Sequence, residues 1–247
     1  MPDTTPLRRR VVLTGAAGRI GQAVSGALAQ RWDLVRTDRR ETAAGLDGVE
    51  VLDVTDLDAC RTAFVGADAV VHLAGNPSPE ATFDELLAPN LVGAYAVARA
   101  AADAGVRRLV LASSLQTMLA VTERVQRRPS DQPRPANLYG ATKAWAEAVG
   151  AWTAAATATS VVALRIGHFS ELRPAPDAEL HRRIAWLSPG DAAELVRAAV
   201  EAELPTGVDG FVVANGVSAN RHAVAELEET RRAIGYAPVD DAWDTDA

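Results

Sequence analysis

The chain has 247 residues, of which 48% are hydrophobic and 23% charged, and its formal net charge is -7. This composition is typical of one soluble α/β domain, with room for a small appendage. The negative charge argues against a general nucleic-acid binder, and no apolar run reaches the roughly 20 residues of a membrane span.

The amino terminus and the cysteine content indicate the compartment. The start, MPDTTPLRRR, lacks the apolar stretch of a signal peptide, so we expect neither a leader nor an anchor. The single cysteine, Cys60, excludes an intramolecular disulfide and is expected to be a small buried residue on a helix. We therefore expect a cytoplasmic protein that binds neither nucleic acid nor membrane.

Strands and helices alternate along the chain, beginning with a strand at 10–13 and a helix at 19–31. Later strands are predicted at 33–38, 49–54, 68–75, 107–114, 160–167 and 210–216. A helix capped by Asp56 is predicted to run to residue 65, and others are predicted at 137–156, 189–202 and 221–234. A long helix is predicted at 84–104, with Pro89 as a kink or an early-turn residue. This alternation is typical of a parallel sheet that is covered by helices on both faces.

The turn after the first strand, TGAAGRIG, carries Gly15, Gly18 and Gly21 at G-x-x-G-x-x-G spacing. The first glycine permits a tight turn, the second lets a pyrophosphate approach the backbone, and the third packs helix against sheet. The amino terminus of the helix adds free N–H groups and a partial positive charge. Spacing alone also fits a structural turn, but its place between strand and helix favours a dinucleotide site.

Two acidic residues follow at the ends of the next strands. Asp38 lies where a carboxylate can accept hydrogen bonds from an adenosine ribose and repel a 2′-phosphate, which favours NAD over NADP. Arg39 and Arg40 weaken this preference, because an arginine can bind that phosphate. Asp53 and Val54 are candidates to contact adenine, and Asp53 is equally explained as a strand-end cap.

Tyr139 and Lys143 lie four residues apart in an alanine-rich helix, so both project from one face. Lys143 is the only lysine beside 24 arginines. An ammonium near a phenol stabilises the phenolate and lowers its pKa, which makes Tyr139 a candidate for proton transfer. Ser114 ends the fifth predicted strand, where its hydroxyl can hold a substrate oxygen. Taken alone, the Tyr-Lys pair also fits an exposed helix surface.

These residues resemble the extended short-chain dehydrogenase/reductase family, in its NAD-dependent epimerase/dehydratase branch. The matching motifs occur in the family's order and cover nearly the whole chain. They are TGAAGRIG, Asp38, Asp53-Val54, VVHLAG, Asn90 in NLVG, ASS, YGATK, LRIG and IGYAP. The resemblance implies an α/β, Rossmann-like, doubly wound parallel sheet with a small C-terminal substrate cap.

The expected organisation has three parts. Residues 1–9 are a flexible tail, and residues 10–167 are the NAD-binding Rossmann domain. Residues 168–247 form a small substrate-binding cap, interleaved with the last strand and helices of the same domain. Residues 115–136 form a long loop, and loops of that length are usually functional or disordered.

The resemblance also implies a catalytic set of Ser114, Tyr139 and Lys143, with Asn90 supporting the helix that shapes the site. Tyr139 would take the substrate proton while hydride passes to the nicotinamide of NAD, and Lys143 would hold the nicotinamide ribose. Further implied cofactor contacts are Ala17, Arg19, Ile20, Leu73, Ala74, Gly75 and Ile166. A homodimer through the helices at 84–104 and 137–156 is implied as well.

Within this family the chain is most similar to uronate dehydrogenases, through its compact cap and the segments RIGHFSELRP, WLSPGDAAELVRAAV and VSANRH. Those enzymes carry Asn-His after the serine, a serine after the RIG segment and a cap arginine for the sugar carboxylate. We expect a small polar sugar-like substrate, a uronic acid among the candidates. Its predicted contacts are Asn76, Ser114, Leu115, Gln116, His168, Arg182 and Arg183.

Several alternatives remain open at this point. His168 is equally explained as a packed loop residue, and Arg182 and Arg183 as a solvated helix surface. An epimerase would keep its cofactor bound without net NADH production, and a sensor would bind dinucleotide without turnover. The four histidines show no metal-ligand spacing, so no metal site is expected.

Overall fold

The structure is a computed structural model that describes residues 8–39, 47–120 and 126–244. The strands in these ranges are β1 (Arg10–Thr14), β2 (Asp33–Asp38), β3 (Val49–Val51), β4 (Ala69–His72), β5 (Arg108–Ser114), β6 (Ser160–Ile166), β7 (His168–Phe169), β8 (Trp186–Leu187) and β9 (Phe211–Gly216). Seven of these described strands form one parallel sheet in the order β3-β2-β1-β4-β5-β6-β9. The predicted α/β fold with a doubly wound parallel sheet is confirmed.

The helices in the same ranges are α1 (Arg19–Arg31), α2 (Leu57–Ala63), α3 (Phe83–Leu86), α4 (Gly93–Asp103), α5 (Leu138–Ala156), α6 (Leu180–Ile184), α7 (Pro189–Glu201) and α8 (Glu228–Ile234). Asp56 caps α2 as predicted, because its side chain accepts from two backbone N–H groups of the first turn. Asn137 caps α5 in the same manner, with its Oδ1 2.7 Å from the Gly140 nitrogen.

The core lies on both faces of the sheet. Val11 and Leu13 of β1 pack in the cluster that includes α1 and α7, whereas Val12 packs in the cluster that includes α2, α4 and α5. Successive side chains of a strand point to opposite faces, so an apolar run needs a helical layer on each side. After β6 the chain adds the β7-β8 ribbon and α6, and α7, β9 and α8 then return to the sheet.

Three predicted elements differ from the structure. The helix predicted at 84–104 is interrupted by a π-helical segment, Leu87–Val92, because Pro89 has no N–H to donate. The last helix begins at Glu228, not Arg221, because the intervening backbone bonds elsewhere: the Val224 N–H donates to Ile184 O. The strand predicted at 49–54 ends at Val51, beside the end of β2.

Residues 1–7 of the predicted tail and Arg40 lie outside the described residues. Across 8–39, 47–120 and 126–244, no helix combines the length and the apolar character that crossing a bilayer requires.

Candidate active site

The turn between β1 and α1 brings the backbone against the loop that follows β4. Gly15 has a φ of +74°, and a Cβ there would lie 2.5 Å from the Ala74 backbone nitrogen. A Cβ on Gly21 would overlap the Gly15 carbonyl oxygen. Glycine at both positions therefore permits this close approach, which leaves the amino terminus of α1 open to the cavity beside it.

Replacing Gly21 with alanine is expected to lower the free energy of unfolding by about 1–3 kcal/mol, because helix α1 must move away from the turn. The matched control is Gly26→Ala on the same helix, where a Cβ meets no atom within 4 Å. That variant should gain about 0.5–1 kcal/mol from the helix propensity of alanine. Chemical denaturation measures both changes, and equal effects of the two variants would contradict the close packing described here.

A cavity of about 720 Å³ extends along the turn toward the end of β2. Asp38 lines it, and one carboxylate oxygen accepts a hydrogen bond from the Ala17 N–H at 3.0 Å. Arg39, Val54 and Ala74 line it as well. The backbone bond holds the carboxylate at the place where the predicted adenosine ribose would lie.

Asp53 is exposed, beside this cavity. Its Oδ1 accepts hydrogen bonds from the Thr55 backbone N–H at 2.9 Å and from the Thr55 hydroxyl at 2.7 Å. These two bonds lower the pKa of the Asp53 carboxyl. The structure therefore gives Asp53 the role of a strand-end cap, and its contact with adenine stays a prediction.

A second cavity, of about 540 Å³, adjoins the first. Ser114, Tyr139 and Lys143 all line it, although they come from two separate elements. Its other predicted lining residues are Gly15, Gly18, Arg19, Ile20, Gly21, Leu73, Gly75, Asn76, Gln116, Ile166 and His168. The residues that line both cavities are Gly15, Gly18, Leu73, Gly75, Asn76 and Pro77.

The three candidate catalytic side chains converge at the carboxyl edge of β5. Ser114 is hydrogen-bonded to the Tyr139 phenol. The Lys143 ammonium lies 5.7 Å from the centre of the Tyr139 ring and donates to the Ala112 carbonyl oxygen at 2.9 Å. The structure thus brings together the serine, the tyrosine and the lysine, in a cavity that also meets the glycine turn.

Burial dominates the electrostatics of this group. Burial raises the pKa of the Tyr139 phenol, and the hydrogen bond with Ser114 opposes that shift. Burial also lowers the pKa of the Lys143 ammonium to about 8. The predicted lowering of the tyrosine pKa by the lysine is therefore not found here, because desolvation of the phenolate is the larger effect.

Asn90 lies on the π-helical segment, behind the cavity lining. Its Nδ2 donates to the Asn76 carbonyl oxygen at 3.0 Å and to the Thr142 hydroxyl at 3.1 Å. Its Oδ1 accepts from the Asn76 N–H at 2.7 Å. Asn90 thus joins helix α5 to the loop after β4, and π-helical segments are frequent at functional sites.

Gln116 and His168 also line the smaller cavity. The Gln116 Oε1 accepts a hydrogen bond from Asn137 Nδ2 at 2.6 Å. The His168 N–H donates to Ala185 O at 2.7 Å, which pairs this residue with the cap. Burial lowers the pKa of the His168 imidazole, and the positive charge of Arg182 adds to that shift.

Three predicted substrate contacts do not line the cavity. Leu115 packs in a small apolar cluster with Val217 and Ala225. Arg182 lies 3.4 Å from the Glu179 carboxylate and is half exposed. Arg183 turns toward the C-terminal segment, where its guanidinium lies 4.3 Å from the centre of the Trp243 ring. Sequence spacing places these residues near the site but does not determine the direction of their side chains.

Comparison with known proteins supports the same fold and shows the family. The chain matches the NAD dependent epimerase/dehydratase family over residues 11–189. The chain belongs to this family. It is 41% identical to an L-arabinose 1-dehydrogenase (NAD(P)(+)) of Haloferax volcanii, over 94% of this chain and 97% of that protein. It is 31% identical to a uronate dehydrogenase of Pseudomonas putida, over 96% of this chain and 86% of that protein.

Solved structures of the epimerase/dehydratase family agree with these relatives. A mutant uronate dehydrogenase from Agrobacterium tumefaciens, complexed with NAD, has a TM-score of 0.82 at 26% identity. The similarity covers 95% of this chain and 86% of that chain. The predicted family is confirmed, including its similarity to uronate dehydrogenases.

For this family member, sequence reasoning missed lining residues that directly adjoin the predicted motifs. The missed residues of the smaller cavity are Pro77, Pro79, Ala112, Ser113, Gly167 and Phe169. Those of the larger cavity are Leu52, Asp84, Glu85, Ala88 and Pro89. Extending each motif by one or two residues would have found Pro77, Ser113 and Phe169. In the π-helical segment, Pro89 signals a break in the helix, but no local signal shows that Ala88 and Pro89 line the cavity.

Proposed function

We propose that the protein is an NAD-dependent oxidoreductase that moves a hydride between the nicotinamide and a hydroxyl or carbonyl carbon of a small, polar, sugar-like substrate. The observation that carries this proposal is the convergence of Ser114, Tyr139 and Lys143 in a cavity that adjoins the glycine turn. A structural turn or an exposed helix pair would not need all three side chains in one cavity.

The residues present fit NAD. The two adjoining cavities place Asp38 at one end and Tyr139 at the other, with the amino terminus of α1 between them. A Cβ on Gly18 would lie 3.1 Å from the Gly15 carbonyl oxygen and would crowd the turn, whereas glycine leaves the backbone bare for an approaching phosphate. Asp38 would accept the adenosine ribose hydroxyls and repel a 2′-phosphate, which favours NAD over NADP.

The mechanism follows from the positions of the side chains. Bound NAD would supply the ring that accepts the hydride. Tyr139 takes the proton of the substrate hydroxyl, and Ser114 holds the same oxygen in line by its hydroxyl. Lys143, one helical turn from Tyr139, would hold the nicotinamide ribose, and the Ser114 hydroxyl opposes the effect of burial on the pKa of the Tyr139 phenol. Asn90 keeps α5 in register with the loop after β4.

Cofactor reduction tests the proposal. Purified protein is incubated with NAD and a panel of sugars, and the absorbance of reduced cofactor is followed. Substrate-dependent NADH production supports the proposal. Interconversion of epimers without net NADH would favour an epimerase, and dinucleotide binding without any turnover would favour a sensor.

The relatives are named for different substrates: one is an L-arabinose 1-dehydrogenase and another is a uronate dehydrogenase. They therefore support a sugar-like substrate and leave its charge open. We further propose that residues 168–247 act as the substrate cap, since His168 and Phe169 line the cavity. A cytoplasmic location is proposed from the single cysteine, Cys60, which is buried and free.

We also propose a homodimer, in which α4 and α5 pack against those of a second copy. Tyr95, Trp145 and Trp152 on these helices are each more than 40% exposed. Tyr95 and Trp152 stack at 6.2 Å between ring centres, so they form one continuous aromatic surface. Exposed aromatic patches of this kind mark interaction sites.

Replacing Trp152 with glutamate is expected to raise the dimer dissociation constant by at least about 30-fold, because a central interface tryptophan is typically a hot spot. The control is Leu172→Glu, at a 79% exposed position outside both helices. Sedimentation measures the oligomeric state. A monomeric wild type, or a Trp152 variant as dimeric as the control, would contradict the proposal.

A further inference from the structure

The cap arginine Arg183 is held away from the cavity by several contacts at once. One guanidinium nitrogen donates to the Pro176 carbonyl oxygen at 3.0 Å, and another donates to Ala242 O at 3.3 Å. The face of the guanidinium packs on Trp243 at 4.3 Å. Contacts to a carbonyl of the cap, a carbonyl of the C-terminal segment and an aromatic face together fix its direction.

The C-terminal segment, residues 236–244, is itself anchored to the fold. The N–H groups of Val239 and Asp240 donate to the carboxylate of buried Asp191 at 2.8 and 3.1 Å. The Ala242 N–H donates to Asn220 Oδ1 at 3.0 Å. Moving Arg183 toward the cavity would therefore break its contacts with this anchored segment.

The remaining cations are engaged as well. Among the described residues that line the smaller cavity, the basic side chains other than His168 are Arg19 and Lys143. Arg19 donates to the Phe169 carbonyl oxygen at 3.0 Å from the first turn of α1, and Lys143 donates to Ala112 O. Both lie beside the predicted dinucleotide contacts. Arg182 is paired with Glu179 outside the lining.

The substrate end is lined by neutral hydrogen-bonding groups instead. Asn137 Oδ1 caps α5 by accepting from Gly140, so its Nδ2 must be the atom that donates to Gln116 Oε1. This orients the Gln116 amide and leaves its NH2 group as a donor at the cavity. Ser114 adds a hydroxyl. Such groups match sugar hydroxyls, whereas a buried carboxylate needs a cation.

We propose that the cavity selects an uncharged aldose, which it recognises through hydroxyl groups, and that it discriminates against the matching hexuronate. This inference rests on the proposed function and deepens it by naming the charge of the substrate. The C-terminal segment has a part in this selectivity, because it holds Arg183, one of the two cap arginines that are candidates to bind a sugar carboxylate.

The test compares matched sugars that differ only at carbon 6, galactose with galacturonate and glucose with glucuronate, each with NAD and the wild-type protein. We expect kcat/KM for the neutral sugar of at least one pair to exceed that of its uronate by about 100-fold or more, since the carboxylate enters without a counter-charge. Equal or faster oxidation of the uronates would overturn the inference and leave the proposed function standing. If none of the sugars tested yields NADH, the proposed function is overturned, and the inference with it.

Arg183→Gln supplies a second measurement, the ratio of uronate to neutral-sugar kcat/KM. Because Arg183 does not line the cavity, we expect its replacement to change this ratio by less than about 3-fold. A general loosening of the cap would lower both activities together and would leave the ratio unchanged. If Arg183 bound the carboxylate, the ratio would fall by about 100-fold and the inference would be wrong.

Discussion

Replacing Tyr139 with phenylalanine is expected to lower kcat by about 100- to 10,000-fold, the usual contribution of a positioned acid or base. The phenol hydroxyl is the group that would take the substrate proton, and phenylalanine keeps the ring while removing that hydroxyl. The ring still fills the same buried place on α5, so the dissociation constant for NAD should change little. Steady-state kinetics and a fluorescence titration with NADH separate these two effects.

The chain offers a matched control for this change. Tyr95 is the exposed tyrosine on α4, outside both cavities, so Tyr95→Phe removes a phenol hydroxyl without touching the site. Its kcat should stay within about 2-fold of the wild type, because the substitution keeps the ring that belongs to the proposed dimer surface and removes only a hydroxyl outside both cavities. A Tyr139 variant that retains wild-type turnover would refute the proton-transfer role.

Replacing Arg165 with methionine is expected to lower the free energy of unfolding by about 3–5 kcal/mol. Arg165 on β6 and Glu147 on α5 are 1% and 5% exposed, and their two hydrogen bonds measure 2.8 and 2.9 Å. Glu147 also accepts a hydrogen bond from the Ser113 hydroxyl at 2.6 Å, next to the candidate catalytic serine. Without the guanidinium, the buried carboxylate loses its counter-charge.

Arg165 also holds the long loop that leads into α5. Its remaining guanidinium nitrogen faces the carbonyl oxygens of Arg128, Pro129 and Asp131 at 3.1–3.4 Å. Asn215, its register partner on β9, donates to the Arg127 carbonyl oxygen at 2.9 Å. The substitution therefore removes a support of the loop together with the ion pair, which adds to the loss of stability.

Denaturation by guanidinium chloride measures this effect, and a surface pair provides the comparison. Arg232 and Glu228 pair at 3.1 Å with side chains that are 70% and 50% exposed. Arg232→Met should change the free energy of unfolding by less than about 1 kcal/mol, because solvent screens an exposed pair. A similarly small change for Arg165→Met would show that the buried pair does not stabilise the fold.

The candidate site was predictable where it depends on short spacings. The glycine turn, Asp38 and the Tyr139–Lys143 pair each follow from neighbours within one turn or at one strand end. The π-helical segment around Asn90 was not, since it depends on how Pro89 and the packing of α5 divide an otherwise helical stretch. The predicted shift in the pKa of Tyr139 had the wrong direction, because the spacing of residues on a helix does not show how deeply the phenol is buried.

The sequence alone determined three features, because each is a local relation along the backbone. They are the alternation of strands and helices, the glycine turn, and the shared face of Tyr139 and Lys143. The directions of Leu115 and Arg183 were decided only by the tertiary structure. Arg183 meets Ala242 across 59 residues of chain, and Arg165 meets Asp131 across 34. Such contacts form when distant segments are packed together, so the charge of the substrate end depends on the fold and not on any one motif.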